Sequence, residues 1–216
     1  MIVSKVLRMA ALGAVAALAA CHKDSTGPSK SSSALGNYYG VYGTSNGSSS
    51  AGGSLIIIID VGSATGTLTP VGLAGIALTG TYNSGNGDVG LTGGGRTLAG
   101  TISGGKLNGT YAGPDGVGSF GTQHGASASD VQLFCGQYTG DASGVWNLSM
   151  AGSALSGAYA DDGGGSEQLT GSLNGGSISL NFTGGTASGS LTTSTTMSGH
   201  WTAGAATGTW QGHSPC

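Results

Sequence analysis

The sequence predicts an all-β protein with two tandem, duplicated, small antiparallel up-and-down β-barrels of about eight strands each. Three observations predict this class. The composition is rich in glycine and has no helical periodicity, a five-residue strand pattern recurs, and the pattern repeats at an offset of about 90 residues. A signal peptide and a flexible tether are expected to precede the barrels.

The composition excludes both a disordered chain and a collagen-like chain. It has 46 glycines and 7% charged residues, yet its mean hydropathy is +0.11. Disorder requires low hydrophobicity with high net charge, and collagen requires a strict three-residue glycine period; neither is present. Because each glycine in a helix interior costs about 1 kcal/mol, strands are favoured over helices.

The recurring pattern is an apolar residue, a small polar residue, glycine, a small polar residue, and then an apolar or aromatic residue. Alternate residues of a strand share a face, so one face is apolar with a central glycine and the other is rich in hydroxyls. Glycine inside a strand marks a bend in the strand or a close approach of another backbone. The inner wall of a narrow, strongly curved barrel requires such positions. The pattern begins at Ala64, Leu78, Leu98, Leu107, Leu155, Leu169, Ala187, Met197 and Ala206.

The glycines of the pattern indicate two homologous halves. The halves are aligned through Gly36-Asn-Tyr38-Tyr-Gly40 with Gly136-Gln-Tyr138-Thr-Gly140, and they predict lobes at 34–125 and 131–216 with a linker at 126–130. Short spacings between some glycines leave a parallel β-solenoid as an alternative, and an outer-membrane pore is disfavoured by the polar outward residues. The corresponding glycines are Gly66, Gly80, Gly100, Gly109 and Gly118 with Gly157, Gly171, Gly189, Gly199 and Gly208.

Cysteine placement predicts a disulfide within the second lobe. Cys135 lies near the start of that lobe and Cys216 ends the chain, and the first and last strands of an up-and-down barrel are neighbours. A disulfide that closes a loop of this length stabilises the folded state by about 4 kcal/mol, because it lowers the conformational entropy of the unfolded chain. Two free thiols or an intermolecular bridge are the alternatives.

The N-terminus has the order of a signal peptide. Lys5 and Arg8 precede a run of small apolar residues at 9–17, which is too short to span a hydrocarbon core that needs about 20 apolar residues. We therefore expect residues 1–20 to be a signal peptide. One alternative is an ordinary secretory signal, with the cysteine at position 21 present by chance.

The tetrapeptide Leu18-Ala19-Ala20-Cys21 resembles the lipobox of bacterial lipoproteins. The resemblance implies cleavage before Cys21 and a diacylglyceryl group on its sulfur, and more than one acyl chain anchors a protein stably. His22, where proteins retained in the inner membrane tend to carry Asp, favours the outer membrane, on its periplasmic or surface side. In a source with one membrane, the cell membrane is expected. Residues 21–33, rich in serine, predict a flexible tether.

The second half also resembles a known barrel family in its pattern. Gly136-Gln-Tyr138, Gly144-Val-Trp146-Asn-Leu148 and Leu155-Ser-Gly157-Ala-Tyr159 resemble the opening three strands of avidin-type barrels, and the segment 194–201 resembles a later one. The resemblance implies an eight-stranded barrel, with Tyr159 where the family has a biotin-contacting tyrosine. Gly140 replaces the first-strand asparagine of the family, so biotin is not expected to bind.

The chemistry-bearing residues predict neither an enzyme nor a metal or cofactor site. The three histidines beyond the tether have no metal-ligand spacing, and the match of Gly43-Thr-Ser45-Asn-Gly47 to a hydrolase motif lacks the helix that must follow it. After removal of 1–20, nine acidic side chains oppose four basic ones, the last of which is Lys106. A phosphate backbone would be repelled, so nucleic acid is not an expected partner.

Aromatic and apolar residues provide the remaining functional candidates. Ile56 and Ile58 interrupt strand alternation and predict a contact with the other lobe or with a partner. The leading expectation is a membrane-anchored interaction module that binds an unknown protein. The alternative is a calycin-type carrier of a small ligand, with a pocket formed by inward aromatics that otherwise fill the core. Those aromatics are Trp146, Tyr159, Phe182, Trp201 and Trp210.

Overall fold

The protein forms two closed barrels that follow one another along the chain. The computed structural model describes residues 34–47, 50–125 and 127–216; the predicted signal peptide 1–20, Cys21 and the tether 21–33 lie outside them. Each barrel contains eight antiparallel strands, in which sequential strands pair and the last strand pairs with the first. The predicted fold class is thus confirmed, and the solenoid alternative is wrong.

Short turns connect most of the strands. The first barrel contains β1 (Gly36–Ser45), β2 (Ser50–Asp60), β3 (Ser63–Pro70), β4 (Ile76–Tyr82), β5 (Asp88–Gly93), β6 (Arg96–Ser103), β7 (Lys106–Gly113) and β8 (Gly116–His124). A 3-10 turn at Ala128–Asp130 precedes the second barrel. That barrel contains β9 (Gln132–Gly140), β10 (Gly144–Ala151), β11 (Ala154–Asp161), β12 (Ser166–Asn174), β13 (Ser177–Phe182), β14 (Gly185–Thr193), β15 (Thr196–Ala203) and β16 (Ala206–His213).

Alternation of side chains builds one core inside each barrel. In β2, Leu55, Ile57 and Ile59 are fully buried, whereas Ile56 and Ile58 between them are exposed. Burying side chains of this size contributes about 1.5–3 kcal/mol each. The inward residues of the other strands complete the two cores, one for each barrel.

The pairing registers relate the two barrels residue by residue. Tyr42 pairs with Gly53 and Phe120, and Tyr138 pairs with the corresponding Gly144 and Trp210. Tyr42 is therefore the counterpart of Tyr138, and the alignment of the strand starts made from the sequence is wrong by four residues. The error arose because Gly-x-Tyr occurs twice in β1 and because the connection after the first strand is shorter in the second barrel.

The barrels lie side by side with equivalent ends on the same side. We call the end that carries the turns after β1, β3, β5 and β7, or after β9, β11, β13 and β15, the upper end of each barrel. At the upper ends, Ser50 Oγ donates to Asp162 Oδ1 at 2.7 Å. At the lower ends, Gln123 Nε2 donates to the carbonyl of Ala154 at 2.8 Å.

The contact between the barrels is polar and rich in glycine. Asn147 Nδ2 donates to the carbonyl of Tyr42 at 2.8 Å, and Asn147 is 2% exposed. A Cβ added to Gly121 would lie 2.5 Å from the backbone nitrogen of Gly157, so this close approach of the two walls requires glycine. Since buried hydrogen bonds have directional geometry, they fix how one barrel sits on the other.

Ile56 and Ile58 are partly exposed on the outer wall of β2. Their exposed fractions are 40% and 41%, whereas Gly52, near the start of β2, faces Asn147 of the second barrel. Most of the contact between the barrels is formed by β1 and β8, and β2 adds a smaller part. The packing of these isoleucines against the other lobe or a partner stays a prediction.

Candidate functional site

The second barrel contains a cavity of about 180 Å³ that reaches its upper end. Trp146, Tyr159, Phe182, Trp201 and Trp210, the aromatic residues singled out from the sequence, all line it. Their use by a ligand stays a prediction. Sequence reasoning missed two polar members of the lining, Tyr138 and Asp161. Both occupy inward positions of their strands, and that alternation was the signal that could have identified them.

Glycines on the inner wall provide the space for the indole rings. A Cβ on Gly212 would lie 2.4 Å from the Trp146 ring, and one on Gly199 would lie 2.7 Å from the Trp210 ring. A Cβ on Gly208 would lie 2.3 Å from Trp201 Nε1. The indoles therefore lie against the backbone of neighbouring strands, which leaves the space along the barrel axis open. This packing gives a physical reason for the central glycine of the repeated pattern.

The three indole nitrogens already have hydrogen-bond acceptors. Trp146 Nε1 donates to the carbonyl of Gln137, Trp201 Nε1 to that of Thr139, and Trp210 Nε1 to that of His200, each at 3.2 Å. Because an indole has one donor, none of these rings retains an N–H for a ligand. The tryptophans offer the cavity only aromatic surface.

A tyrosine and a carboxylate form the polar part of the lining. The hydroxyl of Tyr138 donates a short hydrogen bond to Asp161 Oδ1. Burial, and then this bond to Asp161, raise the pKa of Tyr138 well above its ordinary value of 10.0. Burial, and then the nearby Glu167, likewise raise the pKa of Tyr159. Both tyrosines are consequently held as neutral phenols.

The aromatic rings stand nearly perpendicular to one another. The Tyr138 ring centre lies 6.0 Å from that of Trp201 and 6.0 Å from that of Tyr159, with interplanar angles of 86° and 90°. Tyr159 and Phe182 continue the series at 5.4 Å and 69°. Perpendicular aromatic pairs at these distances are individually favourable, by about 0.5–1.5 kcal/mol beyond their buried area. The cavity is thus bounded by ring surfaces at several angles.

The equivalent end of the first barrel is filled. Tyr42 and Tyr111 stack there with ring centres 4.9 Å apart. Tyr111 donates a short hydrogen bond to Asp115 Oδ1, and Arg96 Nε lies 3.7 Å from the same oxygen. Fully buried Leu98 packs below them in the same core. This plug of two tyrosines, an ion pair and a leucine occupies the space that is open in the second barrel.

Smaller residues replace three members of this plug in the second barrel. Tyr138 and Trp201 stand at the positions of its two tyrosines. By the pairing registers, Gly185 corresponds to Arg96, Ala187 to Leu98, and Ala205 to Asp115. Asp161 stands at the position of Pro70, which is buried in the first barrel. The same backbone therefore carries a solid core in one copy and a lined cavity in the other, because these side chains differ.

The mouth of the cavity carries negative charge. Asp161 lies at it, and Asp141, Asp162 and Glu167 lie on the surrounding turns and on β12. Asp141 accepts from the backbone of Thr207 at 2.8 Å; the other two accept from Ser143 Oγ and from the backbone of Thr183, each at 2.9 Å. No lysine or arginine occurs in the sequence after Lys106. The upper end of the second barrel is thus an acidic surface around an apolar opening.

Cys135 and Cys216 are free thiols that contact each other. A hydrogen bond between them lowers the pKa of Cys135 to about 7, and His213 contributes in the same direction against burial. The same contact raises the pKa of Cys216. The disulfide between them stays a prediction, which this proximity favours.

The other residues considered from the sequence lie apart from the cavity. Ser45 is buried at the end of β1, where its hydroxyl accepts from the backbone of Gly47 at 3.1 Å. Within residues 34–47, 50–125 and 127–216, no three His, Cys, Asp or Glu side chains are grouped so as to hold a metal ion. In the same part of the chain, no helix has the length and apolarity to cross a bilayer.

Comparison with known proteins adds no assignment: no family model, no curated protein and no solved structure matches this chain.

Proposed function

We propose that the protein is an exported, lipid-anchored binding protein whose second barrel holds a small, largely apolar ligand. The observation that carries this proposal is the cavity of about 180 Å³ in the second barrel, at the place where the first barrel is filled by its own side chains. A cavity of about 150 Å³ lined by apolar residues is large enough for benzene. A ligand of about six to ten non-hydrogen atoms fits this volume.

The arrangement of the chain supports an anchor on the side away from the cavity mouth. Ala34, the first described residue, lies at the lower end of the first barrel, where its carbonyl accepts from the hydroxyl of Tyr38 at 2.9 Å. The cavity opens at the upper end of the second barrel. A lipid on Cys21 and a tether at 21–33 would therefore attach at the lower end of the first barrel and leave the mouth of the cavity unobstructed.

Two probes of suitable size test the binding function. Benzene and choline are titrated separately into the purified protein, and tryptophan fluorescence and thermal unfolding are measured. All three tryptophans lie in the second barrel and line the cavity, so their fluorescence reports on this site. Saturable binding of either probe supports the proposal. The proposal is overturned if neither probe changes the fluorescence or the melting temperature.

The anchor is tested separately by the intact mass of protein purified from membranes. A chain that begins at Cys21 and carries the mass of a diacylglyceryl group is expected. An unlipidated chain that begins elsewhere would remove the anchor and leave the binding function untouched.

A second candidate function, capture of a protein partner, is favoured by the outer wall of the first barrel. Ile56 and Ile58 are adjacent outward positions of β2 and remain 40% and 41% exposed. Replacing both with serine leaves the core of β2 intact, because Ile57 and Ile59 face inward. If this wall binds a partner or a second copy, the double variant should lose complexes that the native protein forms in chemical crosslinking on cells.

A further inference from the structure

The chemistry of the cavity lining restricts the kind of ligand it can accept. The N–H groups of the three tryptophans all donate to backbone carbonyls. The hydroxyl of Tyr138 donates to Asp161, and that of Tyr159 is hydrogen-bonded to Glu167. These side chains therefore offer a ligand no free donor. An anion or a sugar is held by hydrogen-bond donors. In this cavity it would lose its hydrating water molecules without gaining protein donors in their place.

The same lining has two features that favour a positive charge. The faces of tryptophan, tyrosine and phenylalanine rings attract cations through their quadrupoles, and tryptophan does so most strongly. Asp161 adds a carboxylate at the inner edge of the mouth, and it is a member of the cavity wall. A cation that enters would contact aromatic surface on several sides and face one opposite charge.

The surroundings add a long-range field of the same sign. Asp141, Asp162 and Glu167 lie around the mouth, while the lysine and arginine side chains of the described residues belong to the first barrel. Of these, Arg96 lies beside Asp115, and Lys106 Nζ donates to the carbonyl of Leu155 at 3.3 Å. A field of one sign around an opening raises the local concentration and the association rate of oppositely charged ligands.

The small number of hydrogen-bond acceptors in the lining and the small volume of the cavity restrict the kind of cation further. A primary ammonium or a guanidinium brings several N–H groups that need acceptors, whereas the rings supply none in hydrogen-bonding geometry. A quaternary ammonium has no N–H group and spreads its charge over methyl groups that pack on aromatic rings. A trimethylammonium group with a short substituent also lies within the size range that the cavity accepts.

We propose that the ligand of the second barrel is a small quaternary ammonium compound, held by cation–π contacts with Trp146, Trp201 and Trp210 and by the carboxylate of Asp161. This inference rests on the proposed function, since it assigns the ligand class of the same cavity. Other carriers of a trimethylammonium group, free in solution or on a lipid headgroup, share this chemistry.

The test compares choline with its neutral carbon isostere. This compound is the dimethylbutanol isomer in which a tert-butyl group replaces the trimethylammonium group and the two-carbon alcohol is kept. The two probes have nearly the same shape, so any difference in affinity measures the contribution of the charge. Isothermal titration calorimetry and tryptophan fluorescence on the full protein should give an affinity for choline higher by about tenfold or more. Vesicles of phosphatidylcholine, compared with phosphatidylglycerol, distinguish a headgroup from a free compound.

A charge variant tests the role of Asp161. Asp161→Asn retains an acceptor for Tyr138 and should weaken choline binding by about tenfold while leaving dimethylbutanol unchanged. Asp60→Asn removes the same charge from an exposed position at the lower end of the first barrel and should change neither affinity. Equal binding of the two probes would overturn the cation assignment and leave the cavity function standing. Failure of choline and dimethylbutanol to bind, with benzene still bound, would overturn the cation assignment alone. Failure of all three compounds to bind would overturn the cation assignment and the binding function together.

Discussion

Filling the cavity is the most direct perturbation of the second barrel. Ala187 corresponds to Leu98 of the first barrel, and both pair with a leucine on one side and an aromatic residue on the other. Ala187→Leu therefore places in the second barrel a side chain that the same backbone already packs in the first. The added carbons contribute about 0.8 kcal/mol per buried methylene, which gives a gain of roughly 2 kcal/mol if they are fully buried.

Denaturant unfolding followed by tryptophan fluorescence measures this change, because all three tryptophans report on the second barrel. The variant should unfold at higher denaturant, and it should bind choline and benzene at least about tenfold more weakly because the added side chain occupies the cavity. Ala99→Leu adds the same atoms to the exposed outer wall of β6 and should change the free energy of unfolding by no more than about 0.5 kcal/mol.

Two outcomes of this experiment would contradict the reasoning. If Ala187→Leu lowers the free energy of unfolding by more than about 1 kcal/mol, the space beside this position is already filled, as overpacking of a dense core is destabilising. That result would remove the distinction between a filled and an open barrel. If the variant binds the probes with unchanged affinity, the probes bind elsewhere, and the assignment of ligand binding to the cavity is refuted.

Three further perturbations have defined expected outcomes. Leu98→Ala should destabilise the protein by about 2–5 kcal/mol in denaturant unfolding, since it opens a cavity under the plug of the first barrel; a loss below about 1 kcal/mol would contradict the described packing. In the reduced protein, the alkylation rate of Cys135 should rise with a midpoint near pH 7, and Cys216→Ala should move that midpoint towards 9.0; identical profiles would rule out the thiol contact. Finally, burial raises the pKa values of Tyr42 and Tyr138 above 10.0, so the stability that their neutral forms provide is present below pH 10 and lost as pH rises further. The part of the tyrosinate absorbance that is lost in Tyr42→Phe and Tyr138→Phe variants should therefore appear together with alkaline unfolding. Its appearance in the folded protein would contradict the burial of these two rings.

The two barrels illustrate how a duplicated fold acquires different interiors. Both copies retain a tyrosine on the first strand, Tyr42 and Tyr138, whose hydroxyl contacts a carboxylate. The carboxylate is Asp115, in the turn after β7, in the first barrel and Asp161, at the end of β11, in the second. The first arrangement closes the barrel, whereas the second leaves a carboxylate at the edge of an opening. Fold alone therefore says nothing about which copy binds a ligand.

The class, the number and the strand pattern of the barrels could be predicted from the amino-acid sequence. Alternation of apolar and polar residues has a period of two in any strand, and glycine at regular inward positions is visible without coordinates. The duplication could be found because Gly66 and Gly157, and the glycines that follow them, keep their spacing. The inward aromatics, from Trp146 to Trp210, were predicted by the same alternation.

Three features became visible only in the folded chain. They are which barrel is open, how the first strands align, and how the two barrels contact each other. Whether Ala187 or Leu98 leaves a void depends on side chains contributed by several strands, and their summed volume cannot be read along one strand. The interface uses Asn147 and small residues whose outward positions resemble a solvated face. Asp161 joins the cavity because the barrel closes around it, and closure is a property of all eight strands together.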